Sequence, residues 1–567
     1  MTADSYFDLG AVTRDVTTSS ESAQLWFDRG LAWCFGFNFE EAVRCFQRAV
    51  VEDPECAIAY WGIAYASGPN YNKAWRLFDT ADYEAMTDRS LRALDDARSH
   101  LENATAGERA LIEALRPRYR SGLGPDERAP LNLAYADAMR TVHEAFPDDL
   151  DIAALFVEAV MCVSPRRLWH VSTGEPTGQS TVEARNILER AMDTEAGRAH
   201  PAINHLYIHL MEMSQTPEIA TRASSRLRGC MPDAGHMAHM STHIDIANGD
   251  YRRSVDSGTD AIAANDRYLA TVDDWSFYHV YRAHDTYVKV YAAMMLGSFD
   301  EAWGASQKLL DCLPEEMLRV TSPPMADWVE SHVATYAHVL IRFGRWDQII
   351  DLSLPEDTEL YCVTTAMILY AKGVAYSATG RVTEAEQTRE KFRAALSVIP
   401  NSRMTLPNRE IDILQVADAM LDGELEYRKG NHDVAYAHLR EAIEREDALL
   451  YSDPRPWLQP VRHAYGALLL EQGHLEQAAA VYRADLGLDG SLPRTRVHPN
   501  NVWSLHGLHE ALTRMGRTEE ASMIALQRNL AVAAADSTIE ASCACRMNTA
   551  AAERESDQPA IDSCCSH

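Results

Sequence analysis

Residues 23–54 read AQLWFDRGLAWCFGFNFEEAVRCFQRAVVEDP and contain one complete helix–turn–helix unit. In a repeat unit of about 34 residues, the residues that define the pattern stand at positions 4, 8, 11, 20, 24, 27 and 32. Here they are Trp26, Gly30, Trp33, Ala42, Phe46, Ala49 and Pro54. Gly30 and Ala42 are small where two helices would cross closely, and the aromatic residues fill the space between them. Pro54 ends the second helix. The segment therefore predicts a pair of antiparallel helices.

Parts of the same spacing return along the chain in a shared phase. The positions that match are Gly297, Ala302 and Pro314; Gly373, Tyr376, Gly380 and Ala385; Gly423, Gly430, Ala435, Leu439 and Ala442; Gly466, Gly473, Ala478 and Tyr482; and Gly516 and Ala521. Because each unit buries its apolar face on its neighbours, a chain of this length can fold as one array. We predict an all-α superhelix of helix pairs, an α-solenoid, over 21–546. An N-terminal extension covers 1–20, and a disordered, cysteine-containing tail covers 547–567.

This repeat resembles the tetratricopeptide (TPR) superfamily. More narrowly, the chain resembles long stand-alone members of it, in the stretches AYWGIAYASGPNYN, NHLYIHLMEMS, GHMAHMSTHI, WSLHGLHEAL and SCACR, which span about residues 57–546. The resemblance implies the fold and a concave groove, into which positions 2, 5, 9 and 12 of each first helix point. It implies no settled activity, since one fold hosts many functions.

Composition restricts the partners. The formal net charge is −30 and there is no long basic run, so nucleic acid and anionic membranes are not expected to bind. No apolar run approaches a membrane span. The eleven cysteines do not indicate a disulfide framework. We expect a cytoplasmic protein; the sequence does not predict its oligomeric state.

The predicted groove at 200–296 carries a set of histidines in repeat phase. Two units begin at Pro201 and Gly235, one repeat length apart. Positions 2, 5 and 9 of their first helices then carry five imidazoles: His205, His209, His236, His239 and His243. The next unit begins at Ala283 and carries His284 at position 2, whereas His279 lies in the preceding segment, an insertion or helix extension; both histidines are candidates to complete the set. Because imidazole suits transition metals, this predicts a metal centre. A groove for an anion or a peptide, and accidental clustering, are the alternatives.

The predicted function is oxidation of a small molecule at this centre, with copper preferred over iron or zinc because the set is poor in carboxylates. Glu212 and Tyr207 are the candidates for proton transfer or for hydrogen bonds to the ligands. Cys543 and Cys545 form a secondary candidate site for a soft ion. A non-catalytic scaffold that binds a peptide in the groove, and a zinc-dependent hydrolase, remain the alternative functions.

Overall fold

The computed structural model describes residues 6–273 and 275–546, and this part of the chain is built almost entirely of helices. The helices of its N-terminal half are α1 Glu21–Phe35, α2 Phe39–Glu52, α3 Ala57–Ser67, α4 Thr80–Ser99, α5 Ala106–Leu115, α6 Ala129–Ala145, α7 Leu150–Met161, α8 Gln179–Met192, α9 Glu195–Ala199, α10 Pro201–Met211, α11 Thr221–Leu227, α12 Gly235–Asn248, α13 Tyr251–Leu269 and α14 Phe277–Leu296.

The C-terminal half continues in the same way. Its elements are α15 Phe299–Asp311, α16 Glu315–Leu318, α17 Met325–Val329, α18 Thr335–Arg342, α19 Trp346–Asp351, α20 Cys362–Ala378, α21 Val382–Leu396, the antiparallel strands β1 Met404–Thr405 and β2 Asn408–Arg409, α22 Glu410–Arg428, α23 His432–Ala448, α24 Val461–Glu471, α25 Leu475–Leu486, α26 Val502–Arg514 and α27 Thr518–Ala534. Consecutive helices pack as pairs, including α1 with α2, α12 with α13, and α22 with α23.

The first unit shows why the repeat residues have the sizes they have. Ser20 and Asn38 cap α1 and α2 with their side-chain oxygens. Phe46 of α2 inserts between Gly30 of α1 and Gly62 of α3. A Cβ atom at either glycine would lie 2.7 or 2.5 Å from the phenyl ring, closer than contact allows. The aromatic residue of one unit is thus seated on small residues of two first helices, which fixes how the units stack.

Three first helices lie side by side at the centre of the chain. α12 contacts α10 on one side and α14 on the other, while α11, α13 and α15 follow them as second helices. α12 and α14 both end at a glycine with left-handed backbone, Gly249 (φ 75°) and Gly297 (φ 79°), as expected where a helix turns into its partner. α14 begins at Phe277, six residues before the unit boundary expected from the sequence, so the preceding segment extends this helix.

The C-terminal repeats fold back onto these central helices. The Trp503 indole donates to the Met294 carbonyl (2.8 Å), and the Arg494 backbone N–H donates to the Gln215 side chain (3.1 Å). The segment 449–460, between α23 and α24, lies against α10, where the Tyr451 hydroxyl donates to Glu212 (3.2 Å). The concave side of the central helices is therefore covered by the chain's own C-terminal half.

These features confirm the predicted all-α fold of tetratricopeptide-type helix pairs. Residues 6–20 precede the first helix without regular secondary structure and are held by contacts such as the Arg14 ion pair with Asp149 (2.9 Å). The predicted tail at 547–567 lies outside the described residues, and the domain boundaries stay predictions. None of the described helices has both the length and the apolar character needed to cross a bilayer.

Candidate metal centre

The five histidines predicted from the repeat phase come together on the facing sides of α10 and α12. Their side chains form one buried cluster in which each residue is only 1 or 2% exposed: His205, His209, His236, His239 and His243. Neighbouring ring centroids are about 5 to 6 Å apart, from 4.9 Å for His239 and His243 to 6.0 Å for His209 and His236. The two helices therefore bring the imidazoles into contact, as the spacing in the sequence requires.

An oxygen atom lies against the Nδ1 atom of four of these five rings. The Phe35 carbonyl accepts from His205 (2.7 Å). The two carboxylate oxygens of Glu212 bind the Nδ1 atoms of His209 (3.0 Å) and His243 (2.5 Å). On the third helix, Asp285 Oδ1 lies 3.2 Å from His239 Nδ1. A carbonyl or carboxylate that accepts a hydrogen bond from Nδ1–H of a neutral ring leaves the lone pair of that ring on Nε2, as at His205 and His209.

The Nε2 atoms then meet in pairs. His239 Nε2 lies 3.0 Å from His243 Nε2, and His236 Nε2 lies 3.2 Å from His205 Nε2. Two nitrogens bound to one ion with metal–nitrogen distances of about 2.0–2.1 Å would be separated by roughly 2.9–3.4 Å in octahedral or tetrahedral geometry. In the His239–His243 pair both Nδ1 atoms lie against carboxyl groups, and either a proton on one Nε2 atom or a cation between the two would accommodate their short separation.

Carboxylates complete three of the four groups that could hold an ion. His205, His209 and His236 form an all-imidazole group. The other three groups each combine two histidines with one carboxylate, and in every group the candidate ligand atoms lie within 4.8 Å of one another: His209–Glu212–His243, His236–His239–Asp285 and His239–His243–Asp453. The premise behind the copper preference, a carboxylate-poor set, is therefore wrong, because the fold supplies Asp285 and Asp453 from distant parts of the chain.

Burial and neighbouring charges separate the protonation states within the centre. Burial lowers the pKa of His209 to about 4, and it lowers those of His205, His236 and His239 well below the ordinary value. Burial acts in the same direction on His243, but Glu212 and Asp453 raise its pKa to about 9. Burial raises the pKa of Asp285 to about 8. Four of the rings are thus neutral near pH 7, the form that binds metal, whereas His243 is protonated and would have to release a proton to bind an ion.

Two residues beside the cluster have strained backbone. Phe37 (φ 57°) and Arg166 (φ 59°) are two of the three non-glycine residues with positive φ in the described chain. The Phe37 ring stacks on His236 (centroids 5.2 Å apart, planes at 13°) and closes one side of the cluster. Arg166 lines the cavity on the other side. Backbone strain concentrated around a buried polar cluster is typical of functional sites.

A cavity of about 80 Å³ adjoins the histidines, enough for several water molecules or for part of a small molecule. His209, His236, His239 and His243 form one end of it, and aromatic side chains such as Trp328 form its walls. The segment 452–454, which carries Asp453, closes it from the C-terminal half. The centre is thus buried within the protein but borders a space that a ligand could enter.

Several sequence candidates lie elsewhere. His284 lines the cavity, with its ring 4.8 Å from that of His239, but among the described residues it belongs to none of the four groups. His279 Nδ1 instead accepts the backbone N–H of Ser276 at the start of α14 (3.2 Å). The Tyr207 hydroxyl points away from the cluster and donates to Glu189 of α8 (3.1 Å).

The two cysteines Cys543 and Cys545 form a separate feature. They line a second cavity together with Arg342, Glu424 and His463, on the C-terminal repeats. A hydrogen bond from Cys545, ahead of the opposing effect of burial, lowers the pKa of the Cys543 thiol. Within the described chain, neither cysteine shares a group with the histidines of α10 and α12.

Sequence reasoning missed the residues that come from outside the two histidine stretches. Asp285 directly follows His284, so its place on a first helix was a usable signal. Asp453 and Tyr451 lie in an irregular segment about 200 residues downstream, where no spacing relates them to the histidines. The Phe35 carbonyl is a backbone atom, which no residue pattern marks.

The fold and this buried cluster define a helical-repeat protein with a histidine–carboxylate centre. No protein-family model matches the sequence, and none of the curated proteins matches it. Among solved structures, the chain is similar to Cut9 in the APC/C hetero-tetramer Cut9–Hcn1 (13% identity, 88% of this chain and 78% of that chain, TM-score 0.30). It is also similar to the human IFIT1 dimer with m7Gppp-AAAA (12%, 84% and 90%, TM-score 0.28) and to Ypp1 (11%, 92% and 83%, TM-score 0.29). Such scores carry no argument about activity.

Proposed function

We propose that this chain is a helical-repeat metalloprotein that uses the α10–α12 centre to oxidise a small molecule admitted through the adjoining cavity. The observation that carries the proposal is the shared orientation of the imidazoles. Oxygen atoms lie against Nδ1 in four rings, which leaves Nε2 atoms paired at 3.0 and 3.2 Å. Metal-binding histidines are held in this way, by an oxygen that accepts from the other ring nitrogen.

The donor set favours iron over the copper expected from the sequence. Two histidines with one carboxylate, as in the groups that contain Asp285 and Asp453, are the ligands of non-haem iron sites. Imidazole donors also bind zinc and copper, so the identity of the ion is part of the proposal. A redox-active ion held there would supply one-electron chemistry toward oxygen and a substrate.

The protein's own residues would supply the rest. Glu212 orients His209 and His243 and receives a third hydrogen bond from Tyr451, so it supports the proposal as a positioning residue rather than as a ligand. Asp285 is held by the Asn265 amide (2.7 Å) and faces His239. Its pKa of about 8 allows it to hold or release a proton near neutral pH.

Elemental analysis of the purified full-length chain tests the proposal. We expect one or two transition-metal ions per chain, with iron most abundant. The double variant His239→Ala/His243→Ala should lose the metal. His279→Ala, which alters a histidine outside all four groups, should retain it. Zinc alone, without redox activity, would favour the hydrolase alternative, and a protein that takes up no metal would overturn the proposal.

A binding scaffold without catalysis is the second candidate, and the helical-repeat fold itself favours it, since such arrays commonly present concave binding surfaces. In this chain segment 449–460 and the C-terminal repeats cover the concave side of α10 and α12. A scaffold would therefore use another face. A metal-free protein that is as stable as the metal-treated protein would support this candidate.

A further inference from the structure

The cavity beside the histidines is lined by two arginines that form no ion pair within the part of the chain that the structure describes. Arg166 and Arg76 both line it. Arg166 donates to the amide oxygen of Asn72 (2.9 Å), and neither guanidinium forms an ion pair with a carboxylate among the described residues. This is unusual in a chain with 83 acidic and 53 basic residues, in which many other arginines are paired with carboxylates.

The two arginines differ in exposure: Arg166 is half-buried, whereas Arg76 is exposed to solvent at the cavity. Partial burial lowers the pKa of Arg76, and the neighbouring charges of Arg166 and Arg167 lower it further. Arg166 also adopts the left-handed backbone conformation (φ 59°), which residues other than glycine rarely adopt. Two like charges that line one cavity, one of them on a strained backbone, favour the binding of an anion there.

The histidine centre lies at the same cavity. Burial lowers the pKa of His284, and the neighbouring charges of His243 and Arg166 lower it further. Arg166 therefore lies near the imidazoles. The walls between the two ends are aromatic or apolar: Phe277, Val280, Tyr281, Tyr287, Trp328 and Leu406. A ligand spanning the cavity would place a negative group on the arginines and a flat apolar body against these rings.

We infer that the substrate is a small carboxylate with an aromatic or other flat apolar body, and that Arg166 and Arg76 bind its carboxylate while the rest of the molecule faces the histidine centre. That the bound molecule is a substrate rests on the proposed function, but its binding to the arginines does not require a metal. The planar guanidinium fork matches a carboxylate with two parallel hydrogen bonds. Its neutral amide analogue lacks the charge and offers one acceptor in place of two.

The test measures the binding of phenylacetate and of neutral phenylacetamide by calorimetry, or by the change in tryptophan fluorescence between the wild type and a Trp328→Phe variant. It uses the full chain, both as purified and after treatment with a chelator. We expect phenylacetate to bind at least about ten-fold more tightly than the amide. Arg166→Gln and Arg76→Gln should each weaken phenylacetate binding about 10- to 100-fold, with unchanged metal content. Arg167→Gln, a neighbouring arginine that does not line the cavity, is the matched control.

Equal affinity for the acid and the amide would overturn the inference. Phenylacetate binding that survives both cavity variants but disappears with the chelator would also overturn it, because the carboxylate would then be bound by the metal alone. Binding by the arginines in a protein that takes up no metal would leave the anion site standing and would refute only the metal proposal. The two proposals can therefore fail separately.

Discussion

Replacing Glu212 with Gln tests the orientation of the histidines most directly. Glu212 accepts Nδ1–H from both His209 (3.0 Å) and His243 (2.5 Å). A glutamine has the same shape but offers a single acceptor oxygen, and its amide group is a donor. One of the two rings must then face a donor with its Nδ1–H, or adopt the other tautomer with a proton on Nε2. The first arrangement turns the ring away from its position, and the second removes the Nε2 lone pair, so either one weakens metal binding at that ring.

The expected change in metal affinity follows from two opposing effects. Removing an oxygen that orients a metal-binding histidine weakens metal binding by about 10- to 100-fold, which corresponds to about 1.4–2.7 kcal/mol. The substitution also removes one of the two carboxylates that raise the pKa of His243 to about 9, so fewer protons compete with the metal at neutral pH. Asp453 remains 3.3 Å from that ring. We therefore expect a net loss near the lower limit, about ten-fold.

The assay is competition for cobalt or zinc between the protein and a chromophoric chelator, at fixed neutral pH and with circular dichroism to confirm the helical fold. Glu189→Gln is the matched control, since Glu189 accepts a hydrogen bond from Tyr207 outside the cluster. The control should bind metal like the wild type. A Glu212→Gln protein that is folded and keeps wild-type metal affinity would refute the claim that this carboxylate orients the ligands.

Three further predictions concern other parts of the molecule. Buried Asp485 accepts four side-chain hydrogen bonds, so Asp485→Asn should lower the free energy of unfolding by about 3 kcal/mol in urea titrations. Burial would raise the pKa of Asp485, but two histidines hold it well below its ordinary value. The wild-type advantage should therefore persist at neutral pH and shrink only below about pH 4. Gly62→Ala should cost about 1–3 kcal/mol because its Cβ would lie 2.5 Å from a phenyl ring, whereas Gly304→Ala, which has open space, should stabilise its helix by about 0.5–1 kcal/mol; equal thermal shifts would contradict this. Replacing Cys543 and Cys545 with Ser should leave the metal content unchanged, and a loss of metal would show that these thiols belong to the centre.

Local features of this protein were predictable because they depend on residues close in sequence. The spacing of Gly30, Trp33 and Phe46 specified a helix pair, since each position meets a neighbour within its own or the adjacent unit. The same periodicity placed His205 and His209 on one helix and His236, His239 and His243 on the next. Adjacent units of a repeat array are neighbours in space, so the meeting of these two sets followed from the phase of the repeat.

Residues on irregular or terminal parts of an element were less predictable. His279 shares a helix with His284 but lies in an extension that begins before the repeat, where its ring forms a cap with Ser276. Tyr207 lies between His205 and His209 in sequence, and the helical rotation of about 100° per residue turns it to the opposite side. Proximity along the chain was therefore no guide to which side of the helix a residue occupies.

The sequence by itself determined the all-α repeat and which five histidines cluster on adjacent first helices. Only the tertiary structure decided what surrounds that cluster: the carbonyl of Phe35, the carboxylates of Asp285 and Asp453, and the arginines of the cavity. The physical reason is the range of the interactions. Helix formation and the stacking of neighbouring units are local, whereas the closure of segment 449–460 over α10 joins residues more than 200 positions apart through the accumulated curvature of many units.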